Sequence, residues 1–202
     1  MLIKEPWKLD VVVNKENWLA KSYEHYDLIV PKVKFLDETL NSARLMRHEA
    51  ARALEKLFWH SKRAKIELYA VSGYRSFERQ REIFKKNYKR DGEIANKYSA
   101  RPGQSEHQTG LAMDVTCAEV DFELTGDFEH TKAYEWLTEN MHDYGFVLRY
   151  PKGKEDITGY IFEPWHLRYV GKALAKELYK NNLTLEEYVR VNKKGGLKST
   201  LC

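Results

Sequence analysis

The sequence is poor in cysteine: only Cys117 and Cys202 occur. They have no CxxC spacing and build no disulfide framework, so both are read as free thiols. Long apolar runs are missing too. None approaches the ~18 residues of a membrane span, which excludes a stable helical crossing. Near Met1 there is no basic, apolar, small-residue pattern of a signal peptide. Charge of one sign is also lacking. Lys and Arg number 34 against 30 Asp and Glu, a formal net charge of +4. The two signs are interleaved, which argues against a nucleic-acid partner, although mild basicity suits approach to an anionic polymer. No internal repeat, no low-complexity block and no HExxH zinc motif is present.

What remains fits one soluble domain with a real core: 202 residues, 43% hydrophobic and 32% charged. Residues 1–40 lack sustained periodicity and read as an ordered arm lying on the main domain. Residues 41–64 carry Leu45, Ala50, Ala53, Leu54, Leu57 and Phe58 at helical spacing, which predicts a long amphipathic helix. Ile66, Leu68 and Ala70 then alternate as in a half-buried strand. A second helix is expected over 77–90, and a third over 128–145 with Gly145 closing it. "LAMDVT" and "FVLRY" read as strands, and 160–171 as one or two more. Thr184 and Glu187 have capping-box spacing. The tail, 193–202, reads as loose. Mixed helices and strands, with strand pairs close enough for hairpins, predict an α+β fold with an antiparallel sheet; the main domain is assigned to 41–192.

Two stretches carry chemistry. "SEHQTGLAMD", 105–114, sets His107 and Asp114 around Gly110 before a strand. "EPWH", 163–166, offers Glu163 and His166. Three residues apart, these two would point to opposite faces of a straight strand, but Pro164 favours a local bend that turns both into one cleft. Two imidazoles and one carboxylate are a common ligand set for catalytic zinc, with water in the fourth position. Glu163 is then left to take a proton from that water. Spacing alone makes such a site possible; His107 as a surface histidine and Asp114 as a turn aspartate stay open. Cys117 is not expected to be a ligand, because a strand running on from Asp114 points it to the opposite face.

"SGYRS" (72–76), "SEHQTGLAMD" (105–114), "YGFVLRYP" (144–151) and "EPWHLRYVG" (163–171) occur in that order. Together they resemble the zinc D-alanyl-D-alanine carboxypeptidases of the VanY type and the related bacterial L,D-carboxypeptidases. The resemblance runs from about residue 40 to 190, with fainter similarity at "VNKEN" and "YDLIVP". It implies a small central antiparallel sheet flanked by helices, as in hedgehog and D-Ala-D-Ala peptidase domains. It implies one zinc ion on His107, Asp114 and His166, with Glu163 as general base. Arg75 is implied to steady a substrate carboxylate or the developing oxyanion, and Gln80 to help hold the substrate end. Ser105 is expected either to donate to substrate or to cap its loop, and Trp165 to shape the pocket wall.

The implied activity is removal of a C-terminal D-alanine from peptidoglycan stem peptides by a monomer, across a D,D or an L,D bond that spacing does not distinguish. Alternatives are a D-Ala-D-Ala dipeptidase, a stem endopeptidase, or a zinc-stabilised binding module without catalysis, as in hedgehog signalling domains. The location expected is the outside of a bacterial cell membrane, with an export segment absent from this sequence, or the cytoplasm if Met1 is the native start.

Overall fold

The structure, a computed structural model, describes residues 1–37, 39 and 42–193. Its centre is a four-stranded antiparallel sheet in the order β3–β4–β6–β5. The strands are β3 (Tyr69–Ser72), β4 (Ala112–Thr116), β5 (Phe146–Leu148) and β6 (His166–Tyr169). A two-stranded ribbon joins β1 (Leu28–Ile29) to β2 (Met46–Arg47). The helices are α1 (His48–Arg63), α2 (Phe77–Asp91), α3 (Lys132–Asn140), the single turn α4 (Glu155–Thr158), α5 (Lys172–Asn181) and α6 (Leu185–Lys193). The fold is therefore α+β, with a small antiparallel sheet flanked by helices.

The two middle strands are buried along their whole length. Their sequences still alternate, because successive side chains leave a strand on opposite faces. Met113 and Val115 of β4, with Leu167 and Tyr169 of β6, join the main core. There they meet Leu54, Leu57 and Phe58 of α1 and Leu137 of α3. The other face presents Asp114 and His166, partners across the sheet, then Ala112 and Arg168, also partners. One face is thus apolar core; the other is a buried polar floor.

Four expectations change. The helix expected over 41–64 starts only at His48. Before it, a 3-10 turn (Ser42–Arg44) and β2 replace helix, because their backbone groups are taken by tertiary partners. Gly73 N donates to Ala43 O at 2.5 Å, Tyr74 N to Leu45 O at 2.7 Å and Arg47 N to Gly110 O at 2.8 Å. A side chain at Gly73 would collide with the Leu45 carbonyl, so glycine is required for this close approach. Second, residues 160–165 are not strand; β6 begins only at His166. Third, among the described residues no sheet pair is a tight hairpin. Residues 149–165, with α4, separate β5 from β6, and residues 73–111, with α2, separate β3 from β4. Fourth, the helix expected over 128–145 is α-helical only as α3: the Thr131 side chain accepts from Tyr134 N and starts the helix after it, and 3-10 turns lie before and after.

Other expectations hold. Gly145, at φ 88°, closes the second of those turns, where the end was expected. Thr184 and Glu187 form the reciprocal capping box of α6, at 2.8 and 3.2 Å. Within the first forty residues, Val13 and Leu19 are buried, Leu19 N donates to Gly103 O, and Leu9 and Val11 offer carbonyls to Arg168. The tail lies outside the described residues except for Lys193, which ends α6.

Candidate metal centre

His107, Asp114 and His166 converge from three places in the chain. Asp114 is held in mid-sheet, with Ser72 of β3 on one side and His166 of β6 on the other. His107 sits on a 3-10 turn (Glu106–Thr109) that ends at Gly110 in the left-handed conformation. One ligand atom from each of the three lies within 4.8 Å of the others, and all three residues are buried. The imidazole rings stand edge to face at 4.9 Å.

The donor atoms suit a cation. His107 Nδ1 donates to Gly73 O at 2.7 Å, which leaves Nε2 with its lone pair facing Asp114 Oδ2 at 3.4 Å. His166 Nδ1 lies 3.0 Å from Asp114 Oδ1, yet that oxygen is buried without a hydrogen-bond partner. Such orphaned oxygens are rare in protein interiors and point to a missing ligand. Burial and the Arg75 charge push the His107 pKa down to about 3, so the ring is neutral, as a metal ligand must be. Burial opposes charge on His166 as well, but the carboxylates of Asp114 and Glu106 outweigh it and raise its pKa to about 9. The site therefore draws positive charge to itself. Two imidazole nitrogens and a carboxylate oxygen fit zinc with one position open.

Glu163 stands at the edge of this set. Its backbone N donates to Tyr150 O, and its carbonyl accepts from His166 N at 3.2 Å, closing a turn through Pro164 and Trp165. That turn is the bend expected from the proline, and it brings the Glu163 carboxylate to 3.8 Å from His166 Nδ1. Burial pushes the Glu163 pKa up to about 7, against the opposing charges of His166 and Arg75.

Arg75 is held by two side chains: Nη2 donates to Ser72 Oγ and Nη1 to Gln80 Oε1, both at 3.0 Å. Gln80 is the one buried side chain of α2, and its Nε2 donates to Ala100 O at 2.6 Å. Its amide is thus engaged in fixing the Arg75 guanidinium. All eight residues singled out from the sequence line one cavity of about 190 Å³: Arg75, Gln80, Ser105, His107, Asp114, Glu163, Trp165 and His166. Cys117 lies in the apolar core, away from this cluster.

Sequence reasoning missed the support beneath the site. Glu106 Oε1 accepts from Arg149 Nε at 2.7 Å and from Arg168 Nη1. Arg149 also makes a two-bond contact with Glu186 of α6, at 2.6 and 2.8 Å. Burial disfavours charge on Glu106, but the two guanidiniums hold its pKa well below the usual carboxylate range. Its second oxygen faces His166 Nε2 at 3.8 Å. A signal was available: Arg168 is two residues from His166, hence on the same face of a strand, and Glu106 and Arg149 lie inside the quoted motifs.

The sequence profile of the VanY family, described as D-alanyl-D-alanine carboxypeptidase, matches residues 43–172. YodJ of Bacillus subtilis, a provisionally named carboxypeptidase, is 48% identical over 95% of this chain and 71% of its own length. The structure of the LdcB LD-carboxypeptidase, described in terms of peptidoglycan recognition, superimposes with a TM-score of 0.90 at 48% identity, covering 94% of this chain and 89% of that one. A vancomycin-resistance D,D-pentapeptidase VanY in complex with Zn(II) gives 0.71 at 33% identity, covering 91% and 99%. The chain belongs to the VanY family of D-alanyl-D-alanine carboxypeptidases.

Proposed function

We propose that this chain is a zinc carboxypeptidase that removes the C-terminal D-alanine from peptidoglycan stem peptides, with L,D-bonded tetrapeptides as its main substrate. One observation carries the reading: a buried carboxylate, Glu163, stands beside a His–Asp–His cluster, in a cavity that also holds the fixed cation Arg75. The greater likeness to the LdcB LD-carboxypeptidase than to the D,D-pentapeptidase favours the L,D bond.

His107, Asp114 and His166 would hold the zinc. When bound, zinc supplies a Lewis acid that makes water nucleophilic near neutral pH and polarises a carbonyl. Glu163 accepts the proton of the attacking water on its carboxylate and returns it to the departing amine. Arg75, kept in place by Gln80 and Ser72, binds the free carboxylate of the substrate or steadies the developing oxyanion. Ser105 and Trp165 shape the cavity around the terminal residue. Residues 41–192 form the catalytic unit and residues 1–40 an arm upon it. The protein acts as a monomer, and outside the cell membrane, where wall peptides are trimmed. A binding module without catalysis is disfavoured by the intact Glu163.

Mass spectrometry of digested muropeptides tests this. Tetrapeptide stems are expected to lose one D-alanine. Amidating the terminal carboxyl is expected to abolish most of the cleavage. Equal cutting of acid and amide would show an endopeptidase instead.

A further inference from the structure

Beside the catalytic cavity lies a second one of about 310 Å³, lined by Lys15, Asn96, Ser99, Arg101, Gln104 and Tyr160. Ser99 and Tyr160 line both, so the two adjoin. The second cavity is cationic. Lys15 comes from the first forty residues of the chain, and Arg101 from the loop before the 3-10 turn that carries His107. Among the described residues, neither makes an ion pair with a carboxylate.

Both charges are nevertheless held in position. The Lys15 ammonium stands 5.0 Å from the centre of the Tyr160 ring, and its stem packs beside Gly159. Arg101 Nε donates to Asn96 Oδ1 at 2.9 Å, and its guanidinium lies 5.7 Å from the centre of the Phe84 ring. Burial, with the charges of Arg101 and Lys97, pushes the Lys15 pKa below its ordinary value. Cations gathered without a counterion repel one another, and an anion between them relieves the repulsion.

An independent observation comes from Tyr160. It is only 4% exposed, yet its buried hydroxyl has no hydrogen-bond partner. Burial raises its pKa well above the ordinary phenol value, so it remains a neutral donor. Buried hydroxyls are normally satisfied, and an orphaned donor on the wall of a cationic cavity points to an acceptor that arrives with a ligand.

We propose that the cavity formed by Lys15, Arg101 and Tyr160 is a carboxylate-binding subsite of the catalytic cleft, which takes an acidic residue of the peptide upstream of the scissile bond. This rests on the stem-peptide reading above. It gives the N-terminal arm a part in choosing substrate. It also separates the two charges of an acidic peptide: the terminal carboxylate goes to Arg75, and the internal one to Lys15 and Arg101.

The test uses two synthetic tetrapeptides, L-Ala-γ-D-Glu-L-Lys-D-Ala with the glutamate α-carboxyl free, and the same peptide with that carboxyl amidated. The zinc-loaded wild type is expected to show a KM for the acid roughly tenfold below that for the amide, the weight of one charge-assisted contact. In the Lys15→Met/Arg101→Met variant the acid's KM should rise to that of the amide, whereas Lys15→Arg keeps the preference. Binding of both peptides to zinc-loaded Glu163→Gln, measured by calorimetry, reads the subsite without turnover. Equal affinity for acid and amide, or a preference that survives loss of both cations, overturns the proposal. Release of D-alanine from neither peptide by the wild type would instead overturn the carboxypeptidase reading, and the calorimetry would still decide the subsite.

Discussion

Replacing Glu106 by glutamine removes one negative charge and keeps the side chain's volume. In the native protein two carboxylates, Glu106 and Glu186, face two guanidiniums, Arg149 and Arg168, and each residue is 5% exposed or less. The four charges cancel. In the variant, one buried positive charge has no counterion. Breaking a buried ionic group by removing one member costs ~3–5 kcal/mol, because the partner stays out of water. The glutamine oxygen still accepts part of what Arg149 and Arg168 now give to Oε1, so the low end applies, about 3 kcal/mol. For a chain of this size that lowers Tm by about 6–12 °C. The assay is equilibrium urea unfolding of both proteins stripped of metal, so that cation binding does not enter. The pH dependence has a definite sign. Glu106 has a depressed folded pKa, so its stabilisation is complete above the unfolded glutamate value of about 4.3 and is lost as pH falls through the folded value. Glu106 also helps raise the folded His166 pKa to about 9. That contribution is complete below the unfolded histidine value of about 6.5 and is lost as pH rises through about 9. The gap between wild type and variant should therefore grow as pH falls from about 9 to 6.5, stay flat down to about 5 and shrink in stronger acid. A gap under about 1 kcal/mol at neutral pH, the size of an exposed pair, would refute the argument. So would a gap that widens below about pH 5.

The metal set predicts one zinc per chain by elemental analysis, and loss of most of it in His166→Ala; full retention in that variant would remove His166 from the ligands. Glu163→Gln should keep its zinc and lose about 10²–10⁴-fold in kcat with little change in KM, since proton transfer matters in the transition state and little in binding. Near-normal kcat would end the general-base assignment, and loss of zinc would make Glu163 a ligand.

The sequence by itself singled out the candidate residues of the site. His107, Asp114, His166 and Glu163 sit in short motifs whose residue types and order persist whatever the surrounding packing. The α+β class was legible for a similar reason: period-two alternation over Ile66, Leu68 and Ala70, leading into β3, and helical spacing in α1 are local properties. Even the bend at Glu163 followed from Pro164, whose ring restricts its own residue and the one before it. What only the tertiary structure decided depends on long-range partners. Helical spacing ran back to Leu45, but backbone bonds to Gly73, Tyr74 and Gly110 took residues 42–47 out of the helix. Gln80 resembled a substrate contact in sequence, and in the fold its amide is spent between Arg75 and Ala100. The charged floor that joins Glu106 to Arg149, Arg168 and Glu186 took its pairing from the fold: Arg168 shares a strand face with His166, but each residue alone is an ordinary surface type and nothing local names its partner. A buried charge is stable only beside its counterion, and the counterions here lie 37 to 62 positions apart in the chain. Lys15 reaches the rim of the catalytic cleft in the same way, through the path of the arm across the domain rather than through any pattern in its neighbours.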